Sequence, residues 1–458
     1  MDQDRELGDL REQVRVVTAD IIRDVQKRME LARQIGEIKN RKGIEVKDER
    51  VEQDIRKMVL AISSQTGIKP DFALRLLNIL LEESESVQAQ GRQPPQKQTH
   101  LGIFMKAKQL EASGKEMIHL EVGEPDYPPP SAVGNSLSES FRLRRYHYTE
   151  TRGIAKLREA IAKKENVTED RLIVTPGGRF AVFSAIVSLL EPGNELIVLD
   201  PAWPAYKECA DFAGARTRVL KTRFEDSWTP DLGMLEDMIN PATKMIVLNY
   251  PNNPTGKILE NKSVEKIVSL AKDNDLYVLS DEVYAAYSYG KQFQSVLEFD
   301  YEKTIMVSSF SKRYAMTGFR VGYGVADPRV IQQLNKIQAA GITSVAEPMQ
   351  YAALAAIGED HRDNVKIMKE RLDYVCKRLK EMSIRFVSPD GALYVFPELP
   401  DIDDLELVDK LLERGVAVAP GSGFGDSYKN YIRISACQPL EILAKALDKT
   451  SVVLEEHA

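Results

Sequence analysis

The sequence of 458 residues is poor in the residue types that mark several classes of protein. Its three cysteines, Cys209, Cys376 and Cys437, are odd in number and widely spaced, which indicates a reducing compartment and no disulfide framework. Its five histidines are not clustered, so we expect no histidine-based metal site. An excess of basic residues is absent, since the net charge is −7. General binding to nucleic acid or to an anionic membrane needs basic patches and is therefore not expected.

Long apolar runs are also lacking. None approaches the roughly 20 residues that span a membrane, and the charged residues 1–6 have no apolar segment behind them, so we expect neither a membrane span nor a signal peptide. The apolar content of 43% and charged content of 29% are typical of a soluble globular protein. A chain of this length exceeds one ordinary core. The sequence therefore predicts a cytoplasmic protein of two or three domains.

The first 90 residues form an all-helical head in this prediction. Apolar residues from Leu7 to Ile38 recur every three or four positions, which predicts a helix of about 35 residues with one apolar stripe. Gly43 ends it, Asp48 or Glu49 caps a second helix, and Pro70 begins a third. One long and two shorter helices cannot enclose a core alone, so we expect this head to pair with a second copy.

Three cationic residues, Arg11, Arg28 and Lys39, lie next to or inside the apolar stripe of the long helix. Taken singly, each fits a solvated flanking position of a coiled coil. Taken together, and with the run Arg28–Lys39, the pattern resembles the all-helical chorismate mutase family over the whole head, residues 1–90.

That resemblance implies the rearrangement of chorismate to prephenate, which needs neither a nucleophile nor a proton donor. A protein accelerates it by holding the compact conformer and stabilising charge on the breaking ether oxygen. By the resemblance, Lys39 and Gln88 act at that oxygen, and Arg11 reaches in from the partner subunit. The implied substrate-binding residues are Arg11, Arg28, Lys39, Arg50, Glu52, Ser84 and Gln88.

The start of the second helix departs from the family, which has an adjacent Arg-Glu pair there. This chain has Glu49-Arg50-Val51-Glu52. Without a gap, Glu52 matches the family's glutamate and Val51 replaces its arginine; with a shift of one residue, Arg50 matches and Val51 replaces the glutamate. The ungapped alignment is favoured because Ser84 and Gln88 then need no compensating insertion. In either alignment one member of the family's Arg-Glu pair is missing.

The polar, Gln- and Pro-rich residues 91–99 are predicted to be a linker. From residue 100 to residue 458, short apolar runs alternate with longer amphipathic segments, which predicts an α/β body with a largely parallel sheet and its active-site loops at the strand ends. The predicted strands are 172–174, 195–199, 245–248, 276–279, 304–307 and 320–325.

Chemically informative residues follow these predicted strands. Gly178 and Arg179 lie at the start of a helix predicted to begin near Phe180, where free amides suit a phosphate. Lys312 stands in a predicted loop of small hydroxylated residues, where partial burial lowers the pKa of an amine and lets it attack a carbonyl. A surface lysine in a turn is the plainer alternative. Trp203 has two interpretations: it stacks on a flat ring, or it is an ordinary core residue. Asp281 is likewise either a functional carboxylate or a capping residue.

Three motifs in this order, Asn-Pro-Thr-Gly (253–256), Ser-Asp-Glu-x-Tyr (280–284) and a Ser-x-x-Lys segment ending in Gly-x-Arg (309–320), resemble the class I, fold type I aminotransferases. These enzymes use pyridoxal 5'-phosphate (PLP). The resemblance covers residues 100–458, with a large domain of about 145–345 and a small domain of about 100–144 plus 346–458. It also implies a homodimer with shared active sites.

The resemblance implies the following roles. Lys312 attaches to PLP and then shuttles the substrate's proton, Asp281 pairs with the ring nitrogen, and Tyr284 bonds the phenolic oxygen together with Asn253. Trp203 stacks on the ring. The implied phosphate ligands are Gly178, Arg179, Ser309, Arg320 and, from the other subunit, Tyr148.

Substrate contacts are implied in the same way. Arg433 clamps the α-carboxylate through bidentate geometry, Gly123 offers it a backbone contact, and Asn253 lies beside it. Arg179 stands where some relatives carry a lysine for a distal carboxylate, so we expect acceptance of an acidic side chain. The alternative is that Arg179 only pairs with a neighbouring carboxylate.

The sequence thus predicts a bifunctional enzyme. The head converts chorismate to prephenate, and the body transaminates prephenate or an aromatic 2-oxo acid with glutamate or aspartate as donor. The main alternative is an aspartate or aromatic aminotransferase whose head is a non-catalytic dimerisation or regulatory module. A transcription regulator on a PLP fold needs a basic winged helix that this head lacks, and another PLP chemistry fits the pair Arg179 and Arg433 less well. The sequence does not rank prephenate, phenylpyruvate, 4-hydroxyphenylpyruvate and oxaloacetate as acceptors.

Overall fold

The computed structural model describes residues 2–44, 46–89 and 100–457. These residues form two compact units. One contains residues 2–44, 46–89 and 192–194, and the other contains 100–191 and 195–457. Within the described ranges, none of the helices combines the length and apolar character that a membrane span requires.

The first unit is built from three helices, as the sequence predicts: α1 (Asp2–Arg41), α2 (Glu49–Thr66) and α3 (Pro70–Ala89). Asp48 is the N-cap of α2, and its side chain accepts a hydrogen bond from the Val51 amide at 3.2 Å. Helix α3 packs on both α1 and α2. Gly36 permits the close approach of α1 to α3, because a Cβ there would lie 2.7 Å from Cα of Gln88.

Most of the apolar stripe of α1 faces solvent in the single chain. Ten large apolar residues of α1 are exposed, with fractions from 46% at Leu7 to 65% at Val14, while Val25 is half-buried. A contiguous apolar stripe of this length is unusual on an isolated monomer.

The second unit contains the remaining helices. They are α4 (His100–Ala112), α5 (Ser131–Arg142), α6 (Ala155–Glu165), α7 (Gly178–Leu189), α8 (Ala205–Phe212), α9 (Leu232–Met238), α10 (Asn261–Asp273), α11 (Phe310–Arg313), α12 (Pro328–Gly341), α13 (Glu347–Ala356), α14 (Arg362–Glu381), α15 (Asp404–Glu413) and α16 (Leu440–Glu455). Its strands are β1 (Ile118–His119), β2 (Leu172–Thr175), β3 (Glu195–Asp200), β4 (Arg216–Lys221), β5 (Thr243–Asn249), β6 (Tyr277–Asp281), β7 (Thr304–Ser309), β8 (Gly322–Val325), β9 (Tyr394–Val395), β10 (Val416–Ala417), β11 (Ala419–Pro420) and β12 (Ile432–Ser435).

Within the described residues of this unit, a seven-stranded sheet has the order β2-β8-β7-β6-β5-β3-β4. Strand β8 is antiparallel to β2 and β7, and the other pairings are parallel, so the predicted largely parallel α/β sheet is confirmed. Buried apolar clusters cover both faces of this sheet. The register pairs Asn249 with Asp281 at the carboxyl ends of β5 and β6, which places both residues at one edge.

A separate apolar core lies around smaller sheets. Strand β1 pairs with β10 in parallel, and the antiparallel sheet β11-β12-β9 packs near helices α14 to α16. Strand β12 carries Arg433, whose side chain bonds Asn253 in the turn after β5.

Some local predictions were wrong. Lys312 lies in the one-turn helix α11, not in a loop, because the Ser309 side chain caps that helix by accepting from the Ser311 amide at 3.1 Å. Strand β8 begins at Gly322, since Arg320 has a left-handed backbone with φ of 53°. Helix α7 begins at Gly178 and not near Phe180. Strand β4 was not predicted, because its partly exposed edge position carries Arg and Lys among its apolar residues. The predicted linker, 91–99, lies outside the described residues.

Candidate active site

A cavity of about 430 Å³ lies beside Lys312 at the carboxyl edge of the large sheet. Most of the residues predicted for the aminotransferase site line it, and they come from the segment after β1, from the ends of β2, β3, β5, β6 and β7 with the turns that follow, and from β12. Those predicted residues are Gly123, Gly178, Arg179, Trp203, Asn253, Asp281, Tyr284, Ser309, Lys312, Arg320 and Arg433.

Lys312 extends its amine into this cavity. Its Nζ donates a hydrogen bond to the carbonyl of Gly123, and burial lowers the pKa of the amine below its usual value. The phenol of Tyr287 donates to the backbone carbonyl of Lys312 at 2.9 Å. A lysine held in this way is more readily available in its neutral, nucleophilic form than an exposed one.

Asp281 is a buried carboxylate at the end of β6. Its Oδ2 accepts a hydrogen bond from Tyr206 Oη at 2.7 Å, and its Oδ1 accepts one from the amide of Val283 at 3.3 Å. Burial raises the pKa of Asp281 to about 6, while these hydrogen bonds act in the opposite direction. The group is therefore suited to pair with a cation placed in the cavity.

A cradle for a phosphate lies where helix α7 begins. The amides of Gly178 and Arg179 are in the first turn of the helix, where backbone donors have no preceding carbonyl partner. Gly322 lets β8 approach this turn closely, because a Cβ there would lie 2.4 Å from the Gly178 nitrogen. Ser309 and Arg320 line the same part of the cavity, and Arg320 donates from Nη1 to the carbonyl of Thr317 at 2.8 Å.

The other predicted ring contacts also face the cavity. Tyr284 Oη lies 2.7 Å from Tyr394 Oη, and Trp203 lies beside Tyr206 with a ring separation of 5.4 Å. The backbone amide of Asn253 donates to Asn249 Oδ1 at 3.0 Å, which fixes the turn after β5.

Arg433 is the most deeply buried cation of the predicted site, with 2% of its surface exposed. Its Nη1 donates to Asn253 Oδ1 at 2.8 Å, and its Nη2 donates to the backbone carbonyl of Glu121. The rings of Tyr394 and Phe424 lie 4.3 and 5.0 Å from its guanidinium carbon. No carboxylate pairs with Arg433 among the described residues, which suits a ligand that brings its own negative charge.

Arg179 lies at the open side of the cavity. Its guanidinium carbon is 4.7 Å from the centre of the Trp203 ring. In the part of the chain that the structure describes, Arg179 forms no ion pair with a carboxylate, so the alternative of a purely local pair receives no support. Tyr148 does not line the cavity of its own chain, and 89% of its surface is exposed.

Sequence reasoning missed Tyr206, Asn249, Ser311 and Tyr394, all of which line the cavity. Tyr206 stands one helical turn beyond Trp203, so the spacing Trp-x-x-Tyr at the start of α8 was an available signal. Tyr394 comes from the distant strand β9, and no local pattern indicates it.

The cavity fits PLP, the cofactor of the family that the motifs resemble. Asp281 provides a carboxylate for a ring nitrogen, and Lys312 provides a desolvated amine. The turn before α7 provides space for a phosphate, and its glycines leave no room for a Cβ. These are the three recognition elements that a phosphorylated pyridine aldehyde needs.

The predicted residues of the head are distributed along α1, α2 and α3. Burial lowers the pKa of Arg28, Lys39 Nζ donates to the carbonyl of Val46, and Gln88 Oε1 is buried without a hydrogen-bond partner among the described residues. The buried hydroxyl of Ser84 donates to Leu80 O at 2.6 Å. The contact of Gly36 with Gln88 brings the helical turn before Lys39 against α3.

Arg11 lies apart from that group in the single chain. Arg11 is exposed, and 28 residues of helix separate it from Lys39, which at 1.5 Å per residue is about 42 Å. Arg50 is exposed and Glu52 half-buried near the start of α2.

Comparisons with known proteins match both parts of the chain. Residues 115–449 match the family Aminotransferase class I and II, and residues 10–89 match Chorismate mutase type II. An aspartate aminotransferase of Thermotoga maritima is 36% identical over 353 residues, which are 75% of this chain and 93% of the relative. An aspartate/prephenate aminotransferase of Thermus thermophilus is 34% identical over 368 residues, 77% of this chain and 95% of the relative.

Solved structures agree with this result. The crystal structure of the Thermotoga maritima aspartate aminotransferase superposes with a TM-score of 0.75 at 35% identity, covering 79% of this chain and 98% of that one. A Thermus thermophilus aspartate aminotransferase with maleate gives a TM-score of 0.75 at 32% identity, covering 80% and 98%.

Proposed function

Because the chain belongs to the class I and II aminotransferases and carries a type II chorismate mutase domain ahead of that fold, we propose that it catalyses two consecutive reactions. The head rearranges chorismate to prephenate, and the body transaminates prephenate or a derived aromatic 2-oxo acid with glutamate or aspartate as donor. The observation that carries the second substrate is the pair of arginines, Arg433 and Arg179, neither of which has a carboxylate partner among the described residues.

Aminotransferases of this class use PLP, which when bound supplies an electron sink for the electrons left at Cα after loss of its proton. In the proposal, Arg433 holds the α-carboxylate and so directs Cα toward Lys312. The amine of Lys312, with its lowered pKa, then accepts the Cα proton and later returns a proton to the product. When PLP is bound, Asp281 would hold the ring nitrogen, Tyr284 and Asn253 would hold the phenolic oxygen, and Trp203 would stack on the ring.

Arg179 is proposed to set the substrate class. Prephenate and the acidic donors aspartate and glutamate all carry a second carboxylate beyond the one that Arg433 binds. A fork-shaped guanidinium at the open side of the cavity suits that second group. The name of the Thermus thermophilus relative is consistent with this choice.

In the head, Arg28 and Arg11 are proposed to hold the two carboxylates of chorismate, and Lys39 and Gln88 to stabilise charge on the ether oxygen. Ser84, Arg50 and Glu52 are the remaining proposed contacts. The buried, unbonded Oε1 of Gln88 and the lowered pKa of Arg28 support a polar ligand site there. Because Arg11 lies about 42 Å along the same helix from Lys39, Arg11 serves such a site only from a second subunit.

We therefore propose a homodimer. The exposed apolar stripe of α1 supports it, since a second copy would bury these side chains. The exposed Tyr148, proposed to reach the partner's phosphate cradle, supports shared sites in the body as well. The proposed domains are 1–90, a linker 91–99, and 100–458, with a large domain of about 145–345 flanked by a small one. A cytoplasmic location is proposed because all three cysteines are free thiols.

The decisive experiment is incubation of the protein with chorismate, glutamate and PLP, followed by mass analysis of the products. The proposal expects the mass of arogenate, the amine of prephenate. If no arogenate forms, but separate incubations of glutamate with phenylpyruvate or 4-hydroxyphenylpyruvate yield phenylalanine or tyrosine, an aromatic 2-oxo acid is the acceptor. Absence of chorismate loss would remove the mutase half of the proposal.

A second candidate keeps the aminotransferase and makes the head a non-catalytic module. The observation in its favour is that Lys39 is engaged by the carbonyl of Val46 and that Val51 replaces one member of the family's Arg-Glu pair. An Arg28→Ala variant that consumes chorismate at the rate of the unaltered protein would favour this candidate.

A further inference from the structure

His119, on β1, lies between two carboxylates. Its Nδ1 is 2.7 Å from Glu121 Oε1, and its Nε2 is 3.0 Å from Glu111 Oε1. A neutral imidazole has one N–H donor, so it can donate to only one of two carboxylates. With both carboxylates ionised, the arrangement is satisfied only when His119 is protonated on both nitrogens.

Glu121 depends on that charge more than Glu111 does. The side chain of Glu121 is fully buried, whereas that of Glu111 is one third exposed and also pairs with Lys108 at 2.8 Å. Oε2 of Glu121 has no hydrogen-bond partner among the described residues, and His119 is the one cation that pairs with this carboxylate there. A buried carboxylate that loses its partner is strongly disfavoured.

The backbone around Glu121 leads directly to the proposed substrate site. Its carbonyl accepts the hydrogen bond from Arg433 Nη2, and two residues later the carbonyl of Gly123 accepts from Lys312. The preceding carbonyl, of Leu120, accepts from the amide of Ser435 at 2.9 Å. The segment that His119 anchors through Glu121 is therefore part of the support of Arg433.

We propose that His119 and Glu121 form a positioning pair, which holds the Glu121 carbonyl against Arg433 and makes binding of the substrate α-carboxylate depend on the protonation of His119. This inference rests on the proposed role of Arg433 as the carboxylate clamp. Neither His119 nor Glu121 lines the cavity, so they act through Arg433 and not on the substrate.

The direction of the pH dependence follows from the contacts. Two carboxylates face His119: Glu121 from its own segment and Glu111 from α4, which also pairs with Lys108. Its neutral neighbours are the ring of Phe104 and the side-chain amide of Gln438, which donates to the His119 carbonyl. The hydrogen bond to Glu121 raises the pKa of His119 above its usual value of 6.5. The pair of His119 and Glu121 is therefore intact when the pH is below the usual histidine pKa. It is lost as the pH rises through the raised pKa of His119.

The test compares the holoenzyme with His119→Gln, Glu121→Gln and the double variant at several pH values. KM and kcat for aspartate are measured, together with the dissociation constant of maleate, an unreactive dicarboxylate. We expect His119→Gln to raise the KM and the maleate constant about tenfold at neutral pH, the size expected for loss of one charged hydrogen bond, with kcat within about twofold. Glu121→Gln, whose amide needs no cation, should remove the pH dependence with little change at low pH.

The double variant restores a neutral pair, so we expect it to recover most of the affinity lost in His119→Gln. His457→Gln is the matched control, since His457 also lies near a carboxylate, Glu406 at 3.7 Å, but far along the chain from this segment; its KM should follow the unaltered protein at every pH. Imidazole NMR signals provide a direct readout, with His119 expected to titrate above pH 6.5.

Three results would overturn the proposal: a KM for His119→Gln equal to the unaltered value at every pH, no recovery in the double variant, or titration of His119 at or below 6.5. Arg433→Lys separates the two levels of the argument. If this variant leaves the KM and the maleate constant unchanged, the proposed role of Arg433 as carboxylate clamp is wrong, and so is the positioning pair that depends on it. If it raises both while His119→Gln does not, only the positioning pair is wrong.

Discussion

The hydrogen bond from Tyr206 to Asp281 gives the sharpest prediction about cofactor binding. The phenol lies 2.7 Å from the carboxylate, and both side chains are buried. A hydrogen bond to a charged group contributes about 1.5–3 kcal/mol. Since 1.36 kcal/mol corresponds to one pKa unit, we expect Tyr206→Phe to raise the pKa of Asp281 from about 6 by about one to two units.

That shift changes the fraction of Asp281 that is ionised near neutral pH. With a pKa of about 6, roughly nine tenths of the carboxylate is ionised near pH 7; after the substitution the fraction falls to between about one half and one tenth. Since the ionised form is the one that pairs with the ring nitrogen of PLP, the apparent affinity of the apoprotein for PLP should fall about two- to tenfold near pH 7 and recover above about pH 9.

The assay is an absorbance titration of apoprotein with PLP across a pH series. Tyr301→Phe is the matched control, because its buried phenol donates to the backbone carbonyl of Leu276 at 2.6 Å and, among the described residues, forms no hydrogen bond with a carboxylate. It should lower the melting temperature without changing the PLP constant. The reasoning is refuted if Tyr206→Phe binds PLP like the unaltered protein at every pH, or if its deficit persists at about pH 9, which would indicate lost packing instead of altered ionisation.

Three further predictions concern single positions. Lys312→Ala should abolish transamination and leave chorismate consumption intact; loss of both activities would show that the two units are not independent. Gly322→Ala places a Cβ 2.4 Å from the backbone of the turn before α7. It should lower the free energy of unfolding by about 1–3 kcal/mol and weaken PLP binding. Gly134→Ala, whose Cβ has open space around it, should change neither the melting temperature nor the PLP titration. Gly36→Ala places a Cβ 2.7 Å from α3 and should lower chorismate turnover without affecting transamination; Gly8→Ala, on the same helix but in open space, should stabilise the head by at most about 1 kcal/mol. Equal chorismate turnover in these two variants would contradict the close contact.

Regular patterns made the architecture predictable. The spacing of apolar residues and the capping position Asp48 were sufficient for α1 to α3, and alternation of apolar runs with amphipathic segments was sufficient for the central strands. Edge strand β4 escaped because Arg216 and Arg218 stand on the same face as Leu220 while Val219 is exposed, so its apolar periodicity is weak.

The candidate site was predictable where its residues follow the strands directly, as Asp281 and Lys312 do. It was not predictable where tertiary contacts decide. Tyr206 becomes part of the site because its phenol reaches from α8 to Asp281 at the end of β6, and Tyr394 because β9 lies next to β12. The link between His119 and Arg433 crosses more than 300 positions of sequence, so no local pattern reveals it.

The amide of Asn253 has a consequence for redesign of the substrate pocket. Its oxygen accepts from Arg433, so the guanidinium determines which end of this planar group turns away, and the NH₂ end is left to donate elsewhere in the cavity. A flipped amide would set two donors against each other. Replacing Arg433 to admit amines without a carboxylate would remove the bond that orients the Asn253 amide. The contact proposed between Asn253 and the phenolic oxygen of PLP would then change as well. New specificity at this position has to be engineered as a pair of substitutions, with Asn253 changed alongside its arginine.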